Sequence, residues 1–78
     1  MSMVFLANVP SITSDNCISF YTPYEHVAVD YPNELQADYL VSSYYNSDFV
    51  RTNDFASAMD LAADFLKLAE LRAHKFNI

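Results

Sequence analysis

Between Asn53 and Phe76 apolar side chains recur at Phe55, Ala58, Met59, Ala62, Phe65, Leu66, Ala69, Ala73 and Phe76. Steps of three and four place them all on one stripe of a 3.6-residue helix, with Asp60, Asp64 and Lys67 opposite. The spacing predicts one long amphipathic helix over 53–76. Thr52 or Asn53 can cap its first amides, with Asp54 at the positive end of the dipole and Arg72, His74 and Lys75 at the negative end. Asp64 with Lys67, and Glu70 with His74, are spaced as weak surface pairs. Leu61, Leu68 and Leu71 widen the apolar surface beyond the stripe. They read either as a broad seat on a sheet with one leucine exposed, or as an edge for a second copy or a partner.

Before the helix the period falls to two. Ile18 and Phe20 alternate with Cys17, Ser19 and Tyr21, and Val27, Val29 and Tyr31 alternate with His26, Ala28 and Asp30. Pro23-Tyr24-Glu25 joins the two runs, so strands at 17–22 and 26–31 form an antiparallel hairpin. Met3 to Val9 reads as a further strand stopped by Pro10, and Ser11 to Asn16 as a polar turn. Residues 34–45 fit two patterns, a helical stripe of Ala37, Leu40, Val41, Tyr44 and Tyr45 or a run of strand formers. A strand over 37–45 is the favoured reading. Phe49-Val50-Arg51 then leads into the helix. The expected fold is α+β in a single domain: a small antiparallel sheet of three or four strands packed on one long C-terminal helix.

Composition narrows the function classes. With 78 residues, 53% hydrophobic and 15% aromatic, the chain is small but rich enough in apolar side chains to fold. Its single cysteine, Cys17, excludes an internal disulfide, and the apolar stretch at 3–7 is too short for a secretory leader, so a cytoplasmic site is expected. No run is long enough for a membrane span. Glycine is absent, which counts against the glycine-dependent nucleotide-binding loops.

Charge is segregated along the chain. Residues 1–50 hold Asp15, Glu25, Asp30, Glu34, Asp38 and Asp48 and no lysine or arginine, the whole of the net −6. Such a field repels nucleic acid and anionic lipid and attracts basic surfaces. Candidate chemistry is thin. Cys17, His26 and His74 have no metal-ligand spacing, so no metal or cofactor is expected. In the hairpin Cys17 lies at the open end and His26 beside the turn, which separates a thiol from its base, and an enzyme is not expected. Asp60 and Asp64 lie one turn apart on the polar face, where solvated surface is the plainer reading.

What remains is a tyrosine-rich, acidic front half. Tyrosine offers large contact area at small entropic cost, and carboxylates beside it pair with Arg and Lys. The tyrosines serve equally well as strand formers over a small core. The tyrosine-bearing stretch Cys17 to Tyr45, the lead-in Phe49-Val50-Arg51-Thr52-Asn53-Asp54-Phe55 and Ala58-Met59-x-Leu61-Ala62 resemble the small acidic phage and mobile-element inhibitor proteins, anti-CRISPR proteins among them. The resemblance implies a stoichiometric inhibitor without turnover that occludes a basic, nucleic-acid-binding site on a host protein or ribonucleoprotein complex. Tyr24, Glu25, Asp30, Tyr31, Glu34 and Asp38 are the expected contact residues. The acids at 25, 30, 34 and 38 are too sparse for a row of phosphate mimics, so a local patch is expected. The alternative is a small dimerising structural or regulatory subunit that uses Leu61, Leu68 and Leu71.

Overall fold

The computed structural model describes residues 2–45 and 47–76. A short helix α1 (Ser2–Ala7) is followed by strands β1 (Ser11–Thr13), β2 (Cys17–Tyr21), β3 (His26–Asp30), β4 (Tyr39–Ser43) and β5 (Asp48–Thr52), then the long helix α2 (Phe55–Phe76). The strands form one antiparallel sheet in the order β1-β2-β3-β4-β5. The fold is α+β as expected, with five strands rather than three or four.

The β2–β3 hairpin matches its alternation. Cys17 pairs with Asp30 and Tyr21 with His26, which places Ile18, Phe20, Val27 and Val29 on the face beneath α2. In the ambiguous stretch, β4 is a strand, with Val41 and Ser43 buried on that same face. Against it α2 turns Ala58, Met59, Ala62, Leu66 and Ala69, all buried, together with Ala63 from outside the expected stripe. Small side chains along this line let helix and sheet approach closely, and Leu66 fills the space between them. Phe55 is partly exposed, and the side chain of Phe76 lies outside what the structure describes.

Three segments differ from the sequence reading. Met3 to Val9 is not a strand: residues 2–7 are helical, and Leu6 joins the core between sheet and α2. A short apolar run has no period that separates strand from buried helix, and packing on α2 decides it. Asn8 closes the helix, its amide NH and side chain donating to the carbonyls of Phe5 and Val4 at 3.1 Å each, before Pro10 turns the chain. The second difference is β1, three exposed residues within the expected turn, paired with Phe20, Ser19 and Ile18. The third is β5, expected as a lead-in, which pairs along its whole length with β4. Ser47, at φ 55°, makes the tight turn before it in the left-handed region that glycine would otherwise take.

The α2 cap also shifts by one or two residues. Asp54 itself caps the helix, its Oδ2 accepting from Ser57 N at 2.9 Å and Ser57 Oγ at 3.0 Å. Asp54→Ala is expected to lower stability by about 1 kcal/mol in urea unfolding; an unchanged midpoint would show the cap to be idle.

Candidate functional site

The register sorts the carboxylates into two ends of the sheet. At one end lie the β1–β2 turn, the end of β3, the β3–β4 loop and the start of α2, bringing together Asp15, Asp30, Glu34, Asp38 and Asp54. Among the described residues none of these carboxylates has a Lys or Arg nitrogen within 4.0 Å; the ion pair found is His74 with Glu70, at 3.8 Å on α2. Arg51, in the rung that contains Asp30 and Leu40, stacks over the Phe49 ring at 5.8 Å instead. Lys67 likewise sits 4.9 Å over the Phe5 ring, and the expected pair with Asp64 is not formed.

The β3–β4 loop is braced from within. Asn33 Oδ1 accepts from Leu35 N at 2.8 Å and Gln36 N at 2.9 Å, and Gln36 Nε2 donates to Asp38 O at 3.0 Å. Leu35, between Glu34 and Asp38, is held outward at 98% exposure. The bonds are local side chain to backbone contacts of the kind that replace a regular ladder in turns. Beneath the loop Tyr31, Tyr39 and Phe55 meet at ring separations of 5.9–6.4 Å and close the core. Tyr31 is therefore half buried, a wall of the core more than a surface contact.

Two expected contact residues fall elsewhere. Tyr24 and Glu25 lie in the β2–β3 turn, separated from Asp30 by the length of β3, about 17 Å for five residues. Tyr24 turns toward α2, its ring 6.0 Å from His74, and lines a cleft of about 220 Å³ with Phe5, Leu66 and Glu70. Glu25 is 1% exposed and leaves the surface altogether. Its carboxylate accepts from His26 N and Tyr45 N at 2.9 Å each and from Ser43 Oγ at 2.6 Å. Its role is structural, and the expected six-residue patch reduces to Asp30, Glu34 and Asp38 with Tyr31 behind them.

Among the described residues no helix or strand covers the sheet face away from the helices, and sequence reading did not single it out. Tyr21, His26 and Tyr44 stack across it with centroids 4.2 Å apart and interplanar angles of 23° and 13°. His26 Nε2 is buried in this stack without a hydrogen-bond partner among the described residues, a polar cost that the flanking ring faces offset. Ile12 and Phe49 project from the same face at its two edges. The hairpin alternation, which puts Tyr21 opposite His26, is the one signal that could have located the stack.

Chemically this face is quiet. Burial pushes the Cys17 thiol above its usual pKa, opposed by the Ser19 hydroxyl and reinforced by Asp30, so the thiol stays protonated at neutral pH. His26 lies at the other end of the hairpin, about 13 Å along the strands. Among the described residues no three His, Cys, Asp or Glu side chains converge to hold a metal ion, and no helix is long and apolar enough to cross a membrane.

The fold defines a small two-layer α+β protein with one bare sheet face and an acidic end. Comparison with protein-family models, curated proteins and solved structures gave no match.

Proposed function

We propose that the protein is a non-catalytic binding protein that acts by occlusion, its acidic end seated on a basic, nucleic-acid-binding surface of a host protein or ribonucleoprotein complex. A CRISPR effector is the kind of complex that the resemblance in sequence suggests. The observation that carries this reading is the gathering of Asp15, Asp30, Glu34, Asp38 and Asp54 at one end of the sheet without a lysine or arginine in ion-pair distance. Such a concentration of anions steers a cationic surface into place and pairs with its Arg and Lys groups. The braced β3–β4 loop supports the reading further. It presents Leu35 as an apolar contact between two acids, and a loop already ordered loses little freedom on binding. With Glu25 buried, the expected run of acids is broken at its first member, which favours a local patch over imitation of a duplex.

The double charge reversal Glu34→Lys with Asp38→Lys tests it, since both sites are in a loop outside the core. Affinity for a purified basic nucleic-acid-binding complex is expected to fall by at least about tenfold, with the far-UV circular dichroism unchanged. Undiminished capture by this variant would remove the acidic end from the contact.

The second reading, a dimerising structural or regulatory subunit, draws on Leu68 and Leu71, exposed at 54% and 64%. Leu61, its third expected member, packs against the core instead.

A further inference from the structure

We propose that β5 is a self-association edge, along which two copies of the chain pair antiparallel about a twofold axis at Val50 and extend the sheet. The proposal starts from the contrast between the two sheet edges. β1 is three residues long and follows Pro10, two of the usual ways in which an edge is blunted. β5 has neither protection: it runs five residues in unbroken register with β4, without proline, lysine or bulge, and exposes Phe49 and Val50. Among the described residues no strand pairs with its second edge, the template on which another strand adds.

The residues of β5 complement themselves in one register. With Val50 opposite Val50, Phe49 faces Arg51 and Asp48 faces Thr52, each pair occurring twice. No like charges stand directly opposite each other. Phe49 and Arg51 share the bare face, where Arg51 already stacks on the Phe49 ring of its own chain. A cross-strand aromatic and guanidinium pair repeats that contact between copies. Val50 opposite Val50 lies on the helix side, so both copies keep α2 on the same side of the extended sheet.

Charge over the whole molecule favours the same arrangement. The long axis is 46 Å, with the acidic end at the start of α2. At about 1.5 Å per residue α2 is about 33 Å long, twice the length of a strand, and its C-terminal half carries Lys67, Arg72 and Lys75 against Glu70. Each copy is therefore an electric dipole along the strand direction. A twofold axis normal to the sheet sets the two dipoles antiparallel, bringing the acidic end of each copy to the side of the cationic helix end of the other. Two chains of net charge −6 would otherwise repel. β5 itself, with Asp48 and Arg51, is locally neutral.

Sedimentation equilibrium of the full chain from about 10 µM to about 1 mM is the first test. A concentration-dependent dimer is expected, weakened by added salt. Val50→Lys, which sets two ammonium groups face to face at the axis, is expected to weaken it by at least about tenfold. A cysteine trap provides the second test and does not depend on the lysine variant folding. In a Cys17→Ser background, Val50→Cys is expected to cross-link on mild oxidation, because directly opposed Cβ atoms lie about 4.5–5.5 Å apart. Ile12→Cys, on the other edge and also exposed, is the control. A monomer across the whole range overturns the proposal. So does a dimer that withstands Val50→Lys but is lost in Leu68→Ser with Leu71→Ser, or cross-linking at position 12 as ready as at position 50.

Discussion

Glu25→Ala is expected to destabilise the protein by about 3 kcal/mol, a large part of the stability of a chain of this size, on the order of 5 kcal/mol. The buried carboxylate joins two turns that are distant in sequence. Oε1 accepts from the amides of His26 and Tyr45, and Oε2 from the Ser43 hydroxyl, so the β2–β3 turn is tied to the end of β4. Thr22 organises the turn itself: its hydroxyl accepts from Tyr24 N and Glu25 N and donates to Glu25 O. Truncation at position 25 leaves the Ser43 and Tyr45 donors without their acceptor in a site too enclosed for free hydration. Glu25→Gln keeps one carbonyl oxygen for an amide, and the Ser43 hydroxyl can rotate to accept from the new NH₂, so a loss of about 1 kcal/mol is expected. Urea unfolding of both variants gives the comparison. An alanine variant within about 0.5 kcal/mol of the parent would mean that water replaces the carboxylate at no cost.

Leu66→Ala is expected to cost about 3 kcal/mol and Leu68→Ala less than about 0.5 kcal/mol, although the two leucines are two residues apart on one helix. Leu66 is 1% exposed in the core between α2 and the sheet, among Phe20, Val27, Val41 and Met59. Its removal leaves a cavity that a rigid five-stranded sheet cannot collapse to fill. Leu68 points outward and gives up little transfer free energy when shortened. Equal costs for the two, by chemical denaturation at one temperature, would show that α2 is rotated from the orientation described.

The legible parts of the fold are those with a clear period. α2 buries five of its expected apolar positions, Ala58, Met59, Ala62, Leu66 and Ala69, and the β2–β3 hairpin keeps the inner and outer faces assigned from its alternation. β1 and β5 were illegible for one shared reason. Edge strands need only backbone hydrogen bonds to a neighbour, and neither shows a buried face in its pattern. The helix at 2–7 was hidden in an apolar run too short to have a period. Within the candidate site, Asp30, Glu34 and Asp38 come from one strand end and the loop after it, so neighbours in sequence are neighbours in space. Tyr24 and Glu25 precede a full strand and lie at its far end. Their nearness in sequence misleads because an extended strand separates its ends as far as a chain can.

From the sequence alone follow the helix, the hairpin faces and the segregation of charge into the first fifty residues, because each is a property of composition or of neighbours a few positions apart. Tertiary structure decides which of those charges meets solvent. Glu25 is drawn inside by Ser43 and Tyr45, which lie 18 and 20 residues further along the chain, whereas Asp15 and Asp54 join Asp30, Glu34 and Asp38 only once five strands are in register. Burial and pairing depend on partners distant in sequence, and no local pattern records them.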